Sequence, residues 1–173
     1  GAGFIESKKE YLKKLRVKCN EMGVILIFDE LQSGIGRTGK MFAFEHYNVI
    51  PDILVIGKAL GGGFPIGAII CNQLLMNKFQ SNPILGHITT FGGHPVIARA
   101  GYETLKYIIK NNLVSKSTEK EKLFRSLLKH KLIYEIRGKG LMLALIMKNN
   151  KIANYLVKDC LNNGLILFFL LKN

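Results

Sequence analysis

A chain of 173 residues has room for one domain with a true core, or for parts of two, and its 48% apolar content is that of a globular protein. The net charge is +13, but the lysines are spread through stretches such as "SKKEYLKKLRVKCN" and "KSTEKEKLFRSLLKHK", among glutamates and apolar residues. That is the pattern of solvated helix faces, and with no compact basic arm or aromatic-interleaved motif it argues against a nucleic-acid partner.

Cys19, Cys71 and Cys160 lie far apart, with no C-x-x-C and no histidine at ligand spacing, which predicts reduced thiols, no metal site and a cytoplasmic setting. The apolar runs "GLMLALIM" and "LILFFLL" are too short to span a bilayer, and the first residues do not read as a signal peptide, so no membrane partner is expected. Glycine at position 1 and the strand-like ending "LILFFLLKN" predict a piece of a longer protein or a shortened gene product.

In chain order, Ser7 and Glu10 have the spacing of a capping box and predict a helix over 7–22, stopped by Gly23. "VILIF" is a continuous β-favouring run, predicting a strand buried on both faces of a parallel sheet and closed by Asp29. A glycine-rich loop with a short helix near 41–47 leads to a second such run, "ILVIG", which ends on Lys58. "GAIIC" predicts a strand, "QLLMNKF" a short helix and "GHITTFGGHP" a loop. Pro95 opens a helix to about residue 110.

Beyond residue 111 the character changes. Thr118 and Glu121 form a second capping-box spacing and predict the start of an amphipathic helix. "LIYEIRGKGLMLALIM" predicts two strands about a turn at 138–140, followed by a helix over 151–162 and a strand over 165–171. The chain therefore reads as α/β in two parts, 1–112 and 113–173, without repeats or low-complexity segments.

Two apolar strands end in charge, one in Asp29 and the other in Lys58. Ligands in open α/β sheets sit beyond the carboxyl ends of strands, so the two side chains are candidates for one crevice. The plainer reading of either alone is a charge where a strand meets water. As a pair they carry specific chemistry. Burial beside a dry sheet end favours a neutral amine, a nucleophile toward aldehydes, and an ionised aspartate holds a proton on a ring nitrogen. Pyridoxal phosphate requires that combination.

The stretch "GVILIFDELQSGIGRTGKMFAFEHYNVIPDILVIGKALGGGFPIGA" resembles the cofactor-binding core of the class III aminotransferases, the pyridoxal-phosphate family of acetylornithine, ornithine and 4-aminobutyrate aminotransferases. "GAGFIESKKEYLKKLRVKCNEMG" resembles the helix before that core, "TTFGGHPVIARA" the loop after it, and "EIRGKGLMLAL" the start of the small C-terminal domain.

The resemblance implies part of a fold type I architecture: some of the large, mostly parallel-sheet domain and some of the small α/β domain. It implies that Lys58 bonds the cofactor's aldehyde carbon, that Asp29 pairs with the pyridine nitrogen, and that Gln32 lies by the phenolic oxygen. Thr90 would reach the cofactor phosphate of a neighbouring subunit, with Thr89 beside it where substrate binds, so a homodimer with shared sites is implied. The implied reaction moves an amino group from an ω-amino or N-acetylated diamino acid to a 2-oxo acid such as 2-oxoglutarate. The alternative is a truncated, non-catalytic remnant or interaction fragment, because the family's N-terminal phosphate loop and stacking aromatic residue have no counterpart here.

Other residues carry plainer expectations. Gly61, Gly62 and Gly63 mark a tight turn rather than a Walker loop. Arg37 is expected to stabilise its own loop rather than hold a substrate anion, His46 and His130 to lie on the surface, and Arg137 to be structural. His94 departs from the asparagine that usually precedes proline in the family's "GGNP".

Overall fold

The structure, a computed structural model, describes residues 3–84 and 86–169. Helix α1 (Lys9–Met22) brings Leu12, Leu15 and Cys19 onto one face by their three- and four-residue spacing. Gly23 ends it at φ 63°, the left-handed cap that glycine adopts without steric cost. The Ser7–Glu10 box does not form: the N-cap is Lys8, one residue later, and no side chain caps the helix.

Strand β1 (Ile27–Asp29) runs parallel to β2 (Ile53–Gly57), with Asp29 opposite Val55. Strand β3 (Gly67–Cys71) is antiparallel to β2 on its other side, so the sheet order is β1-β2-β3. Its core face carries Leu54 and Ile56, which join Ile35 and Leu60, with Phe28, Ala68 and Ile66 packed against them. A second cluster of Cys19, Leu26 and Val49 seats α1 and shares Phe28.

The expectation of strands buried on both faces is not met. Ile27 is 54% and Ile69 41% exposed, because both helices that cover the sheet contact the Phe28 face. A fully buried isoleucine contributes about 1.5–3 kcal/mol, so the open face forgoes a large share of what these side chains can give.

Asn72 caps the short α2 (Gln73–Met76) by accepting the Leu75 N–H at 2.9 Å. Helix α3 (Pro95–Lys110) starts at its proline, as expected, and sends Leu105 and Ile108 to the core. Its Gly101 is buried close to the sheet: a Cβ there would lie 3.2 Å from Ile66 Cδ1 and 3.6 Å from the Leu60 carbonyl. That close approach buttresses the turn that follows β2.

Helix α4 (Leu113–Leu127) begins five residues before the predicted capping box. Asn112, in the left-handed region at φ 50°, is its N-cap, and Thr118 sits inside the helix. Strands β4 (Ile133–Lys139) and β5 (Met142–Met147) form an antiparallel hairpin. Helix α5 (Asn150–Asn162), capped by Asn149, follows. Of the strand predicted over 165–171, residues 165–169 are irregular and 170–171 lie outside the described residues. No helix among the described residues is long and apolar enough to cross a membrane.

One network ties the hairpin to the loop after β1. Glu121 accepts the Gly140 N–H at 2.6 Å and Arg125 Nε at 2.9 Å, while Arg125 also donates to the carbonyls of Ile136 and Gly138. The next amide, Leu141, donates to the Arg37 carbonyl at 2.9 Å. Glu121 is thus a clamp for the turn rather than the start of a helix.

Candidate cofactor site

Strands β1 and β2 end side by side, and Lys58 comes three residues after Val55, the partner of Asp29. With strands about 4.8 Å apart and about 3.3 Å of rise per residue, the Cα atoms of Asp29 and Lys58 lie within roughly 11 Å. Asp29 Oδ1 accepts the Leu31 N–H at 3.0 Å, and Oδ2 has no protein partner among the described residues. The Glu30 N–H donates to the Val55 carbonyl at 2.8 Å, which carries the ladder one residue past Asp29 and fixes its backbone.

Lys58 passes from β2 directly into a 3-10 turn, Lys58–Gly61, at φ 44°. A left-handed non-glycine residue costs roughly 1–2 kcal/mol and persists where its surroundings over-determine it. Here they do. Gly57 is pinched so that a Cβ would lie 2.6 Å from Leu31 Cδ2 and 2.7 Å from the Ile66 carbonyl, while Leu60 and Gly61 are buried on the far side. Gly62, at φ 58°, faces the Thr104 hydroxyl, so the glycine run is a tight turn under close packing.

Lys58 itself is exposed, and the end of the sheet is open rather than dry. The burial argument for its amine therefore has no footing within this chain. The reason is the uncovered sheet face on which Asp29, Val55 and Ile69 share a register.

The residue that the sequence reading missed is Glu30. It is 2% exposed, and its carboxylate accepts the Ala43 N–H at 2.6 Å and the Phe44 N–H at 2.7 Å. These are free donors at the start of the 3-10 turn Ala43–His46, and Glu30 closes the intervening loop upon them. An acid directly after a strand, upstream of a long loop that ends in a helical turn, was the available signal. In the same loop Ile35 sits in the core at φ 59°, an uncommon conformation for a β-branched residue.

Gln32 is exposed at the same strand end, with no side-chain hydrogen bond among the described residues. Thr89 and Thr90 are exposed in the loop before α3. The Thr89 carbonyl accepts the Gly92 N–H at 3.1 Å, and no hydrogen bond among the described residues joins either threonine to Asp29, Gln32 or Lys58.

Arg37 corrects its expectation: the loop is held through its carbonyl, and its guanidinium, exposed, bonds nothing among the described residues. His46 is half-buried rather than on the surface, with Nε2 3.1 Å from both the carbonyl and hydroxyl oxygens of Thr38. His130 is exposed.

An exposed amine on one strand end and a carboxylate oxygen without a protein partner on the next fit the ring of pyridoxal phosphate, one for its aldehyde and one for its nitrogen. The profile of the family described as aminotransferase class-III matches residues 1–170. The chain belongs to the class III aminotransferases. These enzymes are pyridoxal-phosphate-dependent transaminases, acting on an amino donor and a 2-oxo acid.

Among curated relatives, the class III chain is 42% identical to acetylornithine aminotransferase of Caldanaerobacter subterraneus subsp. tengcongensis, over 95% of this chain and 42% of that one. It is 39% identical to putrescine aminotransferase of Pectobacterium atrosepticum, over 99% of this chain and 38% of that one. Among solved structures, ornithine δ-aminotransferase of Plasmodium falciparum matches with a TM-score of 0.86 at 33% identity, over 99% of this chain and 45% of that one. Ornithine aminotransferase of Toxoplasma gondii, described with partial occupancy of PLP at its active site, matches at 0.86 and 32% identity, over 96% and 40%.

The class III chain thus spans less than half the length of these relatives. Its fold is part of the fold type I architecture, as the sequence implied.

Proposed function

We propose that this chain supplies the lysine and the aspartate of a pyridoxal-phosphate-dependent transaminase that takes an amino group from an ω-amino or N-acetylated diamino acid and gives it to a 2-oxo acid, 2-oxoglutarate foremost. The observation that carries the reading is the pairing of Asp29 with Val55, which puts Asp29 and Lys58 on adjacent ends of parallel strands. When bound, pyridoxal phosphate supplies an electron sink for the substrate carbanion. Asp29 holds the proton on the ring nitrogen. Lys58, as general base and acid, would take and return the proton on the substrate carbon that bears the transferred amino group. Gln32 orients the phenolic oxygen.

Thr90 donates its hydroxyl to the phosphate in a second copy of the chain, with Thr89 beside the substrate. Their exposure, without a bond to their own site, supports this exchange and hence a homodimer. Residues 1–112 serve as part of the large domain and 113–173 as part of the small one, in a cytoplasmic enzyme. A non-catalytic remnant is the second reading, favoured by the exposure of Lys58 and of the Ile27 and Ile69 face.

Reduction with borohydride after incubation with pyridoxal phosphate separates the two. The expected result is a pyridoxyl group on the peptide containing Lys58. No adduct, or one spread over the surface lysines, overturns the first reading for this chain.

A further inference from the structure

A cleft of about 220 Å³ lies where the loop after β1 meets α4 and the hairpin turn. Its apolar lining comes from Ile35, Ala59, Ile108, Leu113 and Leu141, and its other walls include Arg37, Lys116 and Lys120. None of Asp29, Gln32, Lys58, Thr89 or Thr90 lines it.

The three cations have no partners among the described residues. Every other arginine, Arg16, Arg99, Arg125 and Arg137, pairs with a carboxylate, whereas Arg37 pairs with none among the described residues. The nearby acid, Glu121, is already engaged by Arg125 and the Gly140 N–H. Lys116 and Lys120 are one helical turn apart on α4, a like-charge spacing that weakens a helix unless an anion offsets it. Lysine stems line apolar walls while their heads reach the rim, and the planar arginine fork suits carboxylate or phosphate oxygens.

We propose that this cleft binds a small organic anion carrying two negative charges on a short apolar body, either a phosphate ester or a dicarboxylate. Its size, below the ~300–1,000 Å³ of drug-sized pockets, suits a small metabolite. The apolar body rests on Ile35, Ile108 and Leu141, and the charged groups meet Arg37 and the two lysines. Because residues 35–37, 59 and 108 line one side and 113, 116, 117, 120 and 141 the other, the bound anion bridges the two parts of the chain. The inference does not depend on the cofactor reading and goes beyond it.

Titration calorimetry of the whole chain in 150 mM salt tests it, with phenyl phosphate and glutarate as probes against butyrate and inorganic phosphate. At least one doubly charged probe with an apolar body is expected to bind tenfold or more tightly than butyrate or inorganic phosphate, and the tighter of the two names the ligand class. Arg37→Gln, and Lys116→Gln with Lys120→Gln, each weaken that binding at least tenfold. Lys13→Gln with Lys14→Gln, exposed on α1, leaves it unchanged. Binding that survives the cleft variants, falls equally with the α1 variant, or is absent for both probes in 150 mM salt overturns the proposal.

Discussion

Replacing Gly140 with alanine tests the junction between the hairpin turn and the loop after β1. Gly140 has φ 59°, and an added Cβ would lie 2.5 Å from the Arg37 carbonyl oxygen, 2.6 Å from the Thr38 carbonyl carbon and 2.8 Å from the Gly39 nitrogen. All three are backbone atoms, so no rotamer change relieves the contact and one segment must move. Gly23 supplies the control, with φ 63° and nothing within 4 Å of its Cβ position. Both alanines bear the left-handed conformation, roughly 1–2 kcal/mol. Only Gly140→Ala also strains the Leu141 to Arg37 bond, worth about 1 kcal/mol, and the charge-assisted Gly140 to Glu121 bond, worth about 1.5–3 kcal/mol. The expected excess is about 2–4 kcal/mol, a large part of the ~5–15 kcal/mol that holds a domain folded. In urea titrations followed by far-UV circular dichroism, that lowers the Gly140→Ala midpoint about 1–2 M further than that of Gly23→Ala, for m of about 2 kcal/mol/M. Equal midpoints for the two variants would refute the junction.

Glu30→Gln keeps one acceptor where two backbone N–H groups need two, so it costs about 2–4 kcal/mol and opens residues 31–42 to limited proteolysis. An unfolding free energy within about 0.5 kcal/mol of the parent's, from urea titration, would contradict this. The Leu26 N–H first, then the Arg16 guanidinium, hold the Asp52 carboxyl below its ordinary value of 3.8. Its contribution is therefore full above that value and lost as pH falls through the lowered one. Urea midpoints of the parent and Asp52→Asn should differ near neutral pH, and the gap should narrow as acid protonates the carboxyl; a gap that does not change with pH counts against the pairing. In any form of the protein that transaminates, Asp29→Asn keeps the trapped Lys58 adduct and lowers kcat by about 10²–10³, as loss of a charge facing the reacting system does. Unchanged turnover removes Asp29 from its role.

Where a signal was local, the sequence carried it. Gly23 and Pro95 mark helix ends through backbone preferences that need no neighbour, and "ILVIG" and the hairpin follow from β-favouring runs around glycine. The two capping-box spacings misled because Ser, Thr and Glu recur in any polar helix face; at Glu121 the carboxylate went to a distant amide instead. Burial misled more. Apolar runs do not say which neighbours exist to cover them, and in this chain both covering helices take the same face. Asp29 and Lys58 were legible as a pair because strand ends are local and parallel pairing sets them side by side. The closure by Glu30 depends on partners thirteen and fourteen residues away, and the pinch at Gly57 on Leu31, farther off still, which no spacing announced.

The paired donors Gly140 and Leu141 make adjacent amide clocks. Gly140 exchanges its hydrogen when the turn leaves Glu121, and Leu141 when the turn leaves the Arg37 carbonyl. If the two parts of the chain separate before either unfolds, Leu141 exchanges first; if they come apart together, both amides keep the same time.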